Sequence, residues 1–304
     1  MPPPLLIADV PWLLYRSFFA LPKSIVDERG RPVNALLGTV NALLSVVEAR
    51  PPTHPRAVVA CMGAEQAAYR VRMFPAYHAH RDPMPPELAA QWELVGELLL
   101  SLGWTFTASE DLEADDVMYS YARTEQDAGG RALLMTGDRD LFGAVSELVS
   151  VAELRKGAVA GEIGPDEVRE RYGVPPGLVP DFIALRGDPS DGLPGAPGIG
   201  AKTAAELLRA HGSLEGVLAA AGVTEGPGAA AAAVRATGVM RPRIAASLRD
   251  NARMLLAFKE IATLQQVEVT RPRDRETDYA AGALAARGLG MRRLAERLET
   301  LAAA

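Results

Sequence analysis

Residues 184–208 read ALRGDPSDGLPGAPGIGAKTAAELL, two unlike chemistries run together. In the first half, Asp188 and Asp191 stand three residues apart. On one turn of helix that spacing sends both carboxylates the same way. The second half, from Leu193, is a glycine-rich hairpin opening onto a helix. Gly195, Gly198 and Gly200 carry no Cβ, so a phosphate backbone can come close, and the following helix N-terminus favours the anion. Lys202 and Thr203 lie in the first turn of that helix. Either half alone also reads as a Pro/Gly turn with a solvated acidic patch. Joined, they read as a metal-type carboxylate pair beside a phosphate-type loop.

Upstream of this stretch, apolar strands alternate with helices. Leu5–Asp9 is a short buried strand ending in an acid, and residues 34–49 follow as an amphipathic helix. Residues 56–61 form a second strand, 88–102 a helix with an apolar stripe, and 104–108 a third strand. A fourth strand covers 131–140 and a fifth 148–154; helices follow over 165–172 and 178–186. Buried strands separated by helices predict an α/β fold with a mainly parallel central sheet. Ligands of such sheets gather beyond the carboxyl ends of the strands. Past the hairpin, 222–238 read as a low-complexity connector, with helices over 244–263 and 283–301.

The acids cluster at those ends. Asp9, taken alone, also reads as a helix cap. Glu113, Asp115 and Asp116 open a helix, where the dipole explains one or two acids but not three. Glu113 and Asp116 share a helical face, whereas Asp115 lies about 200° from Glu113, so all three meet one site only if Glu113 precedes the first full turn or one acts through water. Asp138 and Asp140 point the same way at the period of a strand. With Asp188 and Asp191, eight carboxylates come from four separate ends. So many like charges converge only around cations. Oxygen ligands select hard ions such as Mg²⁺ or Mn²⁺, and two ions about 3.5–4 Å apart serve in-line phosphoryl displacement.

Residues 69–87 interleave Tyr69, Arg70, Arg72, Phe74, Tyr77, His78, His80 and Arg81, a pattern suited to a single-stranded nucleic acid. The chain has 304 residues, 48% apolar, and no eighteen-residue apolar stretch to span a membrane. Its start lacks the basic segment and longer apolar run of a secretory signal, and its single Cys61 forms neither an internal disulfide nor a cysteine-based zinc cluster. A cytoplasmic protein is expected. Taken whole, the net charge of −6 opposes a nucleic-acid partner; with the eight site acids set aside, 32 basic residues face 30 acidic ones.

In combination these motifs resemble the 5′→3′ exonuclease/flap endonuclease family, which includes the N-terminal nuclease domain of bacterial family A DNA polymerases. The carriers are Asp9 followed by Leu-Leu-Tyr-Arg-Ser-Phe-Phe-Ala-Leu-Pro, Tyr77-His-Ala-His-Arg81 with Met84-Pro, Glu113-Ala-Asp-Asp, Thr136-Gly-Asp-Arg-Asp and Gly187-Asp-Pro-Ser-Asp-Gly-Leu-Pro-Gly. The resemblance runs from about Leu5 to Leu218. It implies a PIN-like α/β domain over 1–177 with an arch or clamp near 69–90, and a helix-hairpin-helix subdomain with C-terminal helices over 178–304. It further implies a stand-alone, monomeric, divalent-metal-dependent nuclease for DNA flaps, nicks or branches, working beside a separate DNA polymerase. Asp138, Asp140, Asp188 and Asp191 would serve one metal; Asp9, Glu113, Asp115 and Asp116 the other. Tyr15 matches a base-stacking position, Arg81 a phosphate contact, Arg70 and Tyr77 the DNA-binding clamp, and the hairpin backbone a site for K⁺ with a DNA phosphate. A catalytically weak or inactive DNA-junction binding protein descended from the family is the alternative.

Three positions depart from the family pattern. Val10 stands where the family has Gly, Met62-Gly63 where it has Phe-Asp, and His78 where it has a lysine. Gly63 then vacates a ligand position of the first metal, Gly63→Asp should lower the metal requirement, and Glu65 is a candidate substitute ligand. His78 in the lysine's place should hold the scissile phosphate only when protonated.

Overall fold

In the computed structural model, which describes residues 2–49, 54–155, 158–223 and 240–304, alternate residues of each strand serve opposite helix layers. Strands β1 (Leu5–Asp9), β2 (Ala57–Met62), β3 (Thr105–Ala108), β4 (Ala132–Met135), β5 (Val149–Arg155) and β6 (Ala158–Ile163) make one sheet in the order β3-β2-β1-β4-β5-β6. The four pairings that join β3, β2, β1, β4 and β5 are parallel, and β6 closes the edge antiparallel. Leu5, Ile7, Val59, Cys61 and Leu134 face one core; Leu6, Ala8, Val58, Ala60, Leu133 and Met135 face the other. Strands buried on both faces need continuous apolar runs, which is how they read in the sequence.

One layer holds α1 (Val10–Ala20), α2 (Asn34–Val47), α4 (Pro86–Ser101), α11 (Tyr279–Gly288) and α12 (Arg292–Ala302). The other holds α5 (Ala114–Asp127), α6 (Pro165–Tyr172), α7 (Val179–Arg186), α8 (Ala201–His211), α9 (Leu214–Ala220) and α10 (Pro242–Ala262), with the short α3 (Ala68–Met73) beside them. Helices α7 and α8 flank the hairpin. Helix α7 is tied to α9 and α10 by Lys259 Nζ, which donates to Asp181 (2.8 Å) and Glu215 (2.9 Å), while the Leu214 amide donates to Asp181 (2.7 Å). After β1 the chain builds β2 and β3 to one side, then crosses to β4 on the other. The ends of β1 and β4 therefore flank the topological switch point, where such sheets place their ligand crevice.

Several local expectations are corrected. Helix α1 follows Asp9 directly, started by Pro11 in its first turn and by the Trp12 amide donating to Asp9 Oδ1 (2.9 Å); the Asp-x-Pro signal was in the sequence. Strand β4 stops at Met135 because the chain turns at Gly137, which lies against the Trp12 ring with no room for a Cβ. The expected C-terminal helix is two, broken where Gly290 takes a positive φ of 75°. These two helices do not stay with the hairpin: α11 packs on α4 and α12 on α11, in the opposite layer. The predicted connector at 222–238 lies, beyond its first two residues, outside the described residues.

Candidate active site

Past the ends of β1 and β4 the surface opens into a cavity of about 1060 Å³, lined by Asp9, Glu113, Asp115, Asp138, Asp140, Asp188 and Asp191. Each acid arrives on a different local device. Asp9 ends β1 and uses both oxygens: Oδ1 caps α1, and Oδ2 accepts from Thr136 Oγ1 (2.7 Å). Thr136 Oγ1 accepts in turn from the Asp138 amide (2.9 Å), and Asp138 Oδ1 from the Asp140 amide (2.9 Å). Asp138 and Asp140 thus share a side through a turn beyond the strand, not through strand alternation.

Asp188 and Asp191 likewise do not sit on a helix. Asp188 and Leu193 exchange backbone hydrogen bonds of 2.8 Å each way, closing a turn in which Gly187 and Gly192 take φ of 85° and 75°. Asp188 accepts from Arg186 Nη2 (3.2 Å) and from the Ser190 amide (2.9 Å). Asp191 Oδ1 accepts from His78 Nε2 (2.9 Å) and Arg81 Nη2 (3.3 Å). Arg186 has no part in the sequence reading, although it directly precedes the Gly187 that begins the acidic turn.

Crowding has an electrostatic signature. Burial pushes Asp9 up to about 6, against the lowering effect of the Trp12 amide and Thr136. Burial and then the charge of Asp191 push Asp138 up to about 6. Asp115 and Asp140 are held well above the usual carboxylate range, first by burial and then by Asp138. Among the described residues, no three such side chains already converge on one point as a ligand set. Oxygens of Asp9, Asp138, Asp188 and Asp191 are turned to hydroxyl, amide, arginine and histidine donors instead. The donor set, all oxygen and mutually repelling, fits hard divalent cations.

Glu113 is the N-cap residue of α5, with extended ψ of 161°, so it does precede the first turn. Its carboxylate accepts from the Ala67 amide (2.7 Å) and Tyr77 Oη (3.0 Å), and Arg70 Nη1 lies 3.2 Å away. Asp116 is fully buried and does not line the cavity; it accepts from Arg70 Nη2 and the Gln265 amide, both at 2.8 Å. Helical geometry explains the division, since Asp115 points to the cavity and Asp116 a hundred degrees or so around the helix. Arg70 and Tyr77, expected on DNA, are 3% and 4% exposed and hold these two acids instead. Arg81 remains exposed at the rim.

Across the cavity stands an aromatic wall. Tyr15 packs edge-on against Trp92 (6.2 Å between centroids) and stacks on the exposed Phe19 (6.5 Å). Tyr15 Oη donates to Glu65 Oε1 (2.9 Å), and burial followed by Glu65 pushes its hydroxyl up to about 12. Glu65, proposed from sequence as a spare ligand, is thus engaged by Tyr15.

Gly63 corrects another expectation. A Cβ there would lie 2.7 Å from the Leu112 carbonyl oxygen and 2.5 Å from the Glu113 carbonyl carbon. The position is a backbone crossing with no room for a ligand side chain. Gly63→Asp and Gly63→Ala should both destabilise the fold by about 1–3 kcal/mol, as overpacking does, and neither should lower the metal requirement. Thermal melts with a Mg²⁺ titration check this; an aspartate variant active at lower Mg²⁺ would restore the vacated-ligand reading.

The hairpin lies apart from the cavity. Gly198 and Gly200 are exposed with open space around them, and Lys202 is exposed on the first turn of α8, with Thr203 half-buried beside it. Gly195 differs from the other two: it is buried, and its φ of 66° and contact with the Gly187 and Arg186 backbone make it a packing residue rather than a phosphate approach.

Comparison with known proteins bears on the family and the fold. A family model described as 5′-3′ exonuclease, N-terminal resolvase-like domain, matches residues 4–173, and one described as 5′-3′ exonuclease, C-terminal SAM fold, matches 174–278. A 5′-3′ exonuclease of Mycobacterium tuberculosis is 38% identical over 239 residues, covering 72% of this chain and 74% of that protein. DNA polymerase I of Mycobacterium bovis is 38% identical over 218 residues, so the chain spans only 24% of that relative's length. The fold is similar to the T5 D15 protein co-crystallised with metal ions (TM-score 0.67, 15% identity, 98% of this chain and 99% of that one). A mainly parallel α/β sheet with a resolvase-like topology, its acids at the β1/β4 switch point, and a family match over 4–278 lead to one conclusion: the chain belongs to the 5′-3′ exonuclease family.

Proposed function

We propose that the chain is a divalent-metal-dependent nuclease that hydrolyses DNA phosphodiesters at 5′ ends or flaps. The observation that carries this reading is the meeting of Asp9, Asp115, Asp138, Asp140, Asp188 and Asp191 around one cavity, with Asp9 and Asp138 pushed up to about 6 by burial. Bound among these acids, Mg²⁺ or Mn²⁺ would supply the positive charge that in-line displacement at phosphorus requires. The residues of the chain do the rest. Thr136 and the Trp12 amide lock the Asp9 carboxylate; Arg81 meets a phosphate at the rim; Tyr15 offers a face for a base. The exposed hairpin takes the duplex backbone. The substrate is a DNA flap, nick or branch, and a separate polymerase is the natural source of such ends. A 5′-labelled flap duplex, incubated with Mg²⁺ or Mn²⁺ and resolved on a denaturing gel, tests the reading. A flap that is bound but never cut would instead identify a junction-binding protein.

The hairpin carries its own prediction. Gly198→Asp should weaken duplex binding about tenfold or more, by bulk and by repulsion of phosphate. Gly198→Ala, which shares the cost of a φ of 83°, should weaken it less. Lys202→Ala should reduce the slope of log affinity against log salt by about 1. Equal affinities across a salt series for parent and all three variants would remove the hairpin from the interface.

A further inference from the structure

We infer that His78 is a positioning residue for Asp191, holding its carboxylate toward the metal site rather than contacting the scissile phosphate. This rests on the proposed metal site. His78 is 2% exposed, and its Nε2 lies 2.9 Å from Asp191 Oδ1. A carboxylate only accepts, so Nε2 carries the proton and donates. The His78 amide also donates to the Asp191 carbonyl (3.2 Å), so the residue grips both the backbone and the side chain of the acid. It does so at a φ of 55°, a left-handed conformation that costs energy for any residue with a Cβ and persists only where its surroundings impose it. The surroundings are visible. The ring stacks on Tyr77 at 3.8 Å between centroids, and Tyr77 Oη donates to Glu113. The pair therefore spans the acids, Glu113 on one side and Asp191 on the other. A lysine here could pair with Asp191, but its long flexible stem would not fix the orientation as a stacked imidazole does. Outer groups of this kind set the direction of a ligand, and their loss typically costs 10–100-fold in metal affinity.

Mn²⁺ binding to the DNA-free protein, followed by the electron paramagnetic resonance signal of free Mn²⁺, tests this without catalysis. The variants are His78→Gln, His78→Leu and His78→Asn. Gln and Leu meet the same backbone strain, but only Gln has a donor that reaches Asp191. Asn tolerates the left-handed backbone yet is too short to replace Nε2. His78→Leu and His78→Asn should bind Mn²⁺ about tenfold or more weakly, and His78→Gln within about threefold of the parent. Parent-like affinity in Leu and Asn overturns the inference, as does a loss in Gln equal to that in Leu. Asp138→Ala separates the two levels. If it removes no Mn²⁺ binding from the parent, the metal site itself fails; if it does and His78→Leu changes nothing, only the role of His78 fails.

Discussion

Asp138→Ala should cut 5′-flap cleavage by about three orders of magnitude or more at saturating Mg²⁺, while leaving flap-duplex affinity within about threefold. Asp138 stands at the centre of the site's wiring: its Oδ1 accepts from the Asp140 amide, its own amide donates to Thr136, and Thr136 donates to Asp9. It also raises the carboxyls of Asp115 and Asp140, so it is close to both. Removing a charge that holds a catalytic cation takes several kcal/mol from the transition state, and about 4 kcal/mol is a thousandfold. Asp138→Asn separates charge from geometry, because its amide oxygen can still accept from Asp140. It should be nearly as inactive as the alanine variant. Single-turnover cleavage beside an equilibrium binding titration checks both numbers. Robust turnover by either variant, or full parental activity in excess chelator, would refute the metal assignment.

The same acids should make the metal-free protein less stable as pH rises. Asp9 and Asp138 move from 3.8 to about 6 on folding, so between those values the folded chain keeps protons that the unfolded chain has released. Stability therefore falls from about pH 4 to about pH 6, and the whole loss is present above that window. A carboxyl moved this far costs the fold at most about 3 kcal/mol, and the mutual dependence of the cluster lowers the share of any one acid. In EDTA near pH 7.5, Asp138→Asn should thus be more stable than the parent by about 1–3 kcal/mol, several degrees in Tm. Near pH 4 the difference should vanish. Saturating Mn²⁺ should raise the Tm of the parent and much less that of the variant, since only a ligand that binds the folded state stabilises it. A variant no more stable than the parent in EDTA near pH 7.5 would mean that the acids do not repel one another as placed. The pattern is the familiar exchange of stability for a working site.

The sequence alone determined five of the six strands, the parallel α/β class and the acids at their ends, because each rests on local signals; the antiparallel edge strand β6 (Ala158–Ile163) was not read from it. Buried runs such as Leu5–Ala8 and Ala57–Met62 have one reading in a helix-separated chain, and an acid that ends such a run, as Asp9 does, is carried to the crevice by the direction of the strand. The ends of the elements collected the eight carboxylates, and the family resemblance divided them between two metals. What only the tertiary structure decided was the division of labour among them. Asp115 and Asp116 are adjacent in the chain, yet one lines the cavity and the other is buried on Arg70, because helix α5 turns them apart. Arg70, Tyr77 and His78 look like a nucleic-acid clamp when read in a row. Folding turns all three inward, since their partners Glu113, Asp116 and Asp191 lie 36 to 113 residues away, beyond the reach of any periodicity. Gly63 could be seen as a missing acid but not as a crossing point, because the backbone of Leu112–Ala114 that excludes a Cβ comes from another strand's loop. Local patterns encode elements and chemistry; which donor meets which carboxylate depends on long-range packing, and only the folded chain supplies it.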